Sequence, residues 1–176
     1  MKPLIFAPPV RELLESNIRD LINAQVEFLS ASTAASTRAA GDAIQSIIEV
    51  HFPTLLTEHI GEYSANFARR AMADLAFKDS VGNYHVVDVK THREGTAFNM
   101  PNLTSVDRLA RFYEDDNNCF VILMVKYAVE GTQVRVSQVY FVPIEYLQRT
   151  LPLTPARRAE HGRPAHVGRR ADVGRS

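Results

Sequence analysis

The chain has 176 residues, 45% of them apolar, and 20 basic side chains balance 20 acidic ones. That suffices for one domain with a real core, and no stretch approaches the roughly 18 uninterrupted apolar residues of a membrane span. One cysteine, Cys119 within the apolar run CFVILMV, leaves no disulfide framework and no thiolate zinc centre.

The opening MKPLIFAPPVRELLE meets prolines and charges too early for a secretory signal, so a cytoplasmic protein without a membrane partner is expected. Leu13, Leu14, Ile18, Leu21, Ile22 and Val26 then recur at helical spacing and predict an amphipathic helix over residues 10 to 30. After the small, polar SASTAAST comes a second helix with Ile44, Ile47, Ile48 and Phe52 as its apolar stripe, expected to end at Pro53. Gly41, Gln45 and Glu49 form a second, non-apolar stripe on it.

From Met72 the period changes to two. MADLAFKD and HVVDVKT read as a β-hairpin around Gly82 and Asn83. A polar loop from Thr91 to Asn102 should follow, then a helix capped by Thr104 or Ser105 that turns Val106, Leu109, Ala110 and Tyr113 to the core. CFVILMVKYAV and QVRVSQVYFV read as two further strands. The order predicts an α/β (α+β) fold, a central mixed β-sheet flanked by helices, over residues 1–150. Residues 151–176, with six arginines and almost no large apolar side chain, read as a basic, disordered tail.

The chemistry concentrates in the hairpin. Strand residues two apart share a face, so Asp88 and Lys90 project together while Val87 and Val89 point into the core. Asp74 joins them only if paired residues sum to an even number. A three-residue loop over 81–83 satisfies this by placing Ser80 opposite Tyr84, Asp74 opposite Lys90 and Ala76 opposite Asp88. Two adjacent carboxylates repel unless a divalent cation lies between them, and an all-oxygen donor set suits Mg2+. With an ammonium beside them, phosphodiester hydrolysis is the reaction such a cluster serves.

The pattern D-x13-D-x-K, from Asp74 through Asp88 to Lys90, resembles the PD-(D/E)xK nuclease superfamily, with Ala73 where that family often has proline. The resemblance implies a restriction endonuclease-like core, with Asp74, Asp88 and the helix acid Glu49 as Mg2+ ligands and Lys90 as catalytic lysine. The run DVKTHREGTAFNMPNLTSVDRLARFYEDD is similar to type II restriction endonucleases, in which polar residues after the lysine lie near the DNA. Thr91, His92, Arg93, Asn99 and Asn102, with Arg108 and Arg111 on the next helix, are the candidate contacts to double-stranded DNA.

Three readings stay open: a type II restriction endonuclease acting as a homodimer, a repair or recombination nuclease with the same centre, or a non-catalytic DNA-binding module with a truncated end. The histidines lack metal-ligand spacing. No G-x-x-x-x-G-K-[ST] loop and no G-x-S-x-G elbow occurs, which leaves nucleotide and serine hydrolysis unsupported.

Overall fold

The computed structural model describes residues 3–26, 28–56, 59–63, 73–97 and 104–147. A 3-10 turn at Leu4–Phe6 leads into α1 (Pro8–Asn23), the short α2 (Ala31–Ala35) and α3 (Thr37–Leu55). Strands β1 (Ile60–Tyr63), β2 (Leu75–Asp79) and β3 (Tyr84–Arg93) follow, then α4 (Val106–Phe112), β4 (Asn118–Glu130), β5 (Gln133–Pro143) and α5 (Ile144–Leu147).

The five strands form one sheet in the order β1-β2-β3-β4-β5, antiparallel throughout except for the parallel pair β3–β4. α4 lies on the crossover between those two parallel strands, which a tight turn could not connect. The fold is therefore mixed α/β, a central mixed sheet with helices on both faces, as the alternation of periods predicts.

Each helix is placed by its apolar stripe. Leu14, Ile18 and Ile22 of α1 and Ala40, Ile44, Ile48 and Phe52 of α3 bury against Leu75, Phe77, Val87, Val89, Val121 and Leu123, the side chains of one sheet face. On the other face Ala76, Val86, Phe120 and Ile122 pack with Leu109 and Phe112 of α4, with Tyr113 at its C-terminal cap and with Ile144. The i, i+2 alternation of β3 thus sends Val87 and Val89 to α3, and Val86 and Asp88 to the α4 side.

Several expectations are corrected. Leu13 and Val26 are 62% and 75% exposed, because α1 stops at Asn23 and its buried stripe is the i, i+4 set alone. Asn23 is used instead at the free edge of β5, donating to the Val136 carbonyl and accepting from its N–H, while Glu15 accepts from Phe141 N–H. These two side chains occupy backbone groups that an edge strand would otherwise offer to another chain.

SASTAAST is not all loop: Ser30 caps α2 and Ser36 caps α3 through their side chains. Val106 is 81% exposed and Ala110 is also exposed, so α4 meets the sheet through Leu109, Phe112 and Tyr113 only. The strand β1 is absent from the expected order, since IGEY is four residues without an apolar run.

Pro53 does not end α3, which continues to Leu55. Proline there removes the N–H that would bond the Glu49 carbonyl four residues back. The Tyr63 hydroxyl donates to that carbonyl at 2.9 Å, so the lost bond is replaced from β1 and the last turn persists.

Cys119 is half-buried, and burial, with the charges of Glu145 and Asp79, pushes its thiol up to about 11, which leaves it an unreactive packing residue. Among the described residues no helix is long and apolar enough to cross a membrane. Residues 151–176, with Asn99 and Asn102, lie outside the described residues.

Candidate active site

The hairpin register decides which charged groups meet. Lys78 pairs with Tyr84, Phe77 with His85, Ala76 with Val86 and Leu75 with Val87. The sum is even, as convergence requires, but two lower than expected, so Asp74 stands opposite Asp88 and not Lys90.

The cause lies in the turn, which spans five residues, 79–83. Asp79 Oδ1 accepts from the N–H groups of Val81 and Asn83, and Asp79 N–H donates to the Asn83 carbonyl. A carboxylate that closes its own turn lengthens the loop by two residues and leaves facing parity unchanged. Gly82 supplies the positive φ of 93° that such a path needs.

At the other end β2 stops at Leu75 while β3 runs on to Arg93, leaving a notch in the sheet. Asp74 fills it. Its N–H donates to the Val87 carbonyl, and its Oδ2 accepts from Val89 N–H at 2.7 Å, replacing a strand partner that β2 no longer provides. The aspartate is thereby locked to the β3 backbone beside Asp88.

α3 reaches the same notch. A Cβ on Gly41 would lie 2.5 Å from Thr91 Oγ1, so the glycine permits close approach of α3 to β3. One turn on, Gln45 Nε2 donates to Asp74 Oδ1 at 2.9 Å and to Glu49 Oε1 at 2.8 Å. The polar stripe Gly41, Gln45 and Glu49 therefore has one part each: clearance, bridge and acid. Glu49, expected as a direct metal ligand, instead meets Asp74 through the amide of Gln45.

Lys90 Nζ lies 2.9 Å from Asp88 Oδ1. Asp88 is 8% exposed. Burial pushes its carboxyl above the usual carboxylate range, the Lys90 ammonium opposes this, and the charge of Asp74, in hydrogen-bonding contact with it, adds to the rise. Two neighbouring ionised carboxylates cannot both be satisfied by one lysine.

Among the described residues no three or more His, Cys, Asp or Glu side chains form a ligand group of their own. The donor set for a cation is the pair Asp74 and Asp88. It fits Mg2+, a hard ion that is commonly held by one or two carboxylates and keeps waters elsewhere in its shell. The fit rests on the two carboxylates brought together at the notch, Asp74 held by Val89 N–H and Gln45 and Asp88 buried beside it.

The remaining sequence candidates divide. Thr91, His92 and Arg93 belong to β3 and not to a loop, because the strand follows β4 in register through Arg93 opposite Tyr127. Thr91 abuts Gly41 and Arg93 donates to the Ala34 carbonyl at 2.9 Å, so both hold α2 and α3 to the sheet. His92 shares the Asp88 and Lys90 face by alternation. Arg108 and Arg111 are exposed on α4, on that side of the sheet.

Two features escaped sequence reasoning: Val89 N–H as the anchor of Asp74, and Tyr63 beneath Glu49. The first has no side-chain signal. The second had one, a proline four residues after the acid. A groove of about 320 Å3 between α1 and β5, lined by Glu12, Glu15, Arg19 and Gln138 among others, lies at the β5 edge of the sheet, away from Asp74, which is bonded to β3.

No protein-family model matches the chain, and no curated protein matches it significantly. The site's geometry therefore carries the functional argument by itself.

Proposed function

We propose that the chain is a Mg2+-dependent endonuclease of the PD-(D/E)xK type that hydrolyses phosphodiester bonds of double-stranded DNA, and that it acts as a type II restriction enzyme. One observation carries this reading. Asp74 and Asp88 meet at the end of a hairpin, with the Lys90 ammonium against Asp88 and Glu49 tied to Asp74 through Gln45.

Each residue has a part. Asp74 and Asp88 would hold the cation, and Val89 N–H and Gln45 keep Asp74 aimed at it. Mg2+ bound there supplies Lewis-acid polarisation of a phosphoryl oxygen and offsets the charge of the two acids. Lys90, whose Nζ lies 2.9 Å from Asp88 Oδ1, would orient the attacking water and stabilise charge growing on the phosphoryl oxygens. Glu49, held by Gln45, stands ready to accept a proton or a hydrogen bond from that water.

A homodimer is part of the proposal, since a two-fold protein matches a palindromic duplex, and so is a cytoplasmic place of action. Plasmid digestion with and without Mg2+, followed by sequencing of the ends, tests the reading. Discrete ends that require Mg2+ and vanish with Asp88→Ala are expected. Cleavage confined to branched DNA would move the chain to the repair class, and binding without cleavage under any divalent cation would overturn the enzymatic reading.

A further inference from the structure

Among the described residues, every lysine and arginine except two is neutralised or tethered. Most have an acid within 4.0 Å, and Arg93 has a backbone carbonyl. The exceptions are Arg108 and Arg111. Both are exposed on α4, and neither side chain has an ion pair or hydrogen-bond partner among the described residues.

Their isolation is not for want of an acid. Asp107 stands four residues before Arg111, a spacing at which helix ion pairs form, yet no such pair occurs. Asp115 is turned the other way, accepting from Asn117 N–H and Nδ2. Arg108 and Arg111 are three apart and so project from one side of the helix.

The helix that carries them is firmly seated. Phe112 lies 6.2 Å from Tyr84 and 6.4 Å from Phe120 between ring centres, the Tyr113 hydroxyl accepts from Phe120 N–H, and Asn118 Nδ2 donates to the Phe112 carbonyl at 2.7 Å. These contacts place α4 over Tyr84 and Val86, on the face that Asp88 and Lys90 share further along β3. Val86 precedes Asp88 by two strand residues, about 7 Å, which is roughly two nucleotide rises along one DNA strand.

We infer that Arg108 and Arg111 are the phosphate clamp of this protein, gripping the backbone of a DNA duplex beside the phosphodiester presented to Asp74, Asp88 and Lys90. The inference rests on the nuclease reading and adds the docking surface to it. The charge fits one occupant: two unpaired guanidinium groups on a fixed helix, next to a centre that handles phosphodiesters, suit consecutive backbone phosphates. Contacts of this kind position the duplex and carry no sequence information.

The test compares wild type, Arg108→Gln/Arg111→Gln and Arg108→Lys/Arg111→Lys in full-length protein, with Arg135→Gln on β5 as a charge-removal control. No residue of α4 is buried, so the variants should keep the wild-type circular dichroism and Tm. Binding to a labelled mixed-sequence duplex is read as log Kd against log salt concentration, and plasmid cleavage gives KM and kcat. The double Gln variant should lower the salt slope by about two, roughly one per arginine. It should raise KM on the order of tenfold at 0.15 M salt, with kcat held within about twofold. The double Lys variant should restore the salt slope, and Arg135→Gln should match wild type.

A wild-type enzyme that cuts DNA while the double Gln variant keeps its salt slope and KM overturns the clamp and leaves the nuclease reading intact. A wild type that neither binds nor cuts DNA overturns both.

Discussion

Two buried carboxylates sit at opposite ends of one hairpin, and their environments push them in opposite directions. Asp79 is 7% exposed and Asp88 8%. At Asp79 burial works to raise the carboxyl, but hydrogen bonds from the Asn83 side chain, from His85 and from the Asn83 backbone outweigh it and hold the group below the usual carboxylate range. At Asp88 burial wins, because Lys90 is offset by the neighbouring Asp74.

The difference separates a charge spent on the turn from one that the proposed cation would use. Asp79 has its lone pairs filled by Val81, Asn83 and His85, and its work is the turn. Asp88 shares its place with a second acid, a charge that the chain leaves incompletely compensated and a cation can complete. Excess like charge at a buried site is tolerated where function requires it.

The largest effect should come from breaking the functional end. Asp88→Asn is expected to lower kcat by about a thousandfold or more while the fold survives. The sign of its stability change sharpens the comparison. A carboxyl raised in the fold contributes stability below its unfolded pKa and loses it as pH climbs through the folded value, so ionised Asp88 strains the metal-free protein at neutral pH. Thermal unfolding without divalent cation should show Asp88→Asn at or above the wild-type Tm, a gain that disappears below about pH 4.

Breaking the structural end should do the reverse. Asp79→Ala strips the turn of its acceptor and leaves His85 buried without its partner, at a cost of about 3 kcal/mol, roughly 6 to 12 °C in Tm. Any loss of cleavage should be recovered by assaying at lower temperature, where the chain is folded.

Mg2+ gives a smaller effect. At a free concentration ten times its Kd the ion should stabilise wild type by about 1.4 kcal/mol, with no comparable gain in Asp88→Asn. Differential scanning fluorimetry with Mg2+ against K+ at matched ionic strength reads this directly.

The smallest effect concerns His85, which is fully buried, stacked on Phe77 at 4.7 Å between ring centres and edge-on to Phe6. Burial lowers its pKa, against opposing contributions from Asp79 and Glu145, and its Nδ1 has no hydrogen-bond partner among the described residues. Its contribution is therefore present above the unfolded pKa of about 6.5 and lost as pH falls below it. His85→Phe keeps the aromatic packing at a cost of about 1 kcal/mol and should flatten the stability profile between pH 5 and 7.

The same hairpin marks what was legible in the sequence. The parity argument at Asp74, Asp88 and Lys90 needs only the two-residue period of a strand, and that period held. The register itself was two residues off, because the loop length depends on the Asp79 side chain bonding its own turn, and composition around Gly82 and Asn83 admits several loops. α3 was readable from its stripes, including Gln45 and Glu49. Its end was not, because the donor that rescues the Glu49 carbonyl comes from Tyr63, fourteen residues away.

α4 illustrates the limit from the other side. Ser105, Leu109 and Tyr113 signalled a helix and most of its contacts, yet Val106 and Ala110 face solvent, since a seven-residue helix lying on a sheet face buries a narrow stripe. Thr91 and Arg93 read as DNA contacts because a polar run resembles a loop. β4 pairs with β3 through Arg93, and partner-strand length is not written in β3.

The central claim is that Asp74 and Asp88 together form a cation site. Calorimetric titration of Mn2+ into wild type, Asp74→Asn, Asp88→Asn and Asp79→Asn tests it most directly, at a temperature where all four are folded. Saturable binding in wild type and Asp79→Asn that is lost in both Asp74→Asn and Asp88→Asn is the predicted result. Equal binding in all four proteins, or none in wild type, would contradict the account.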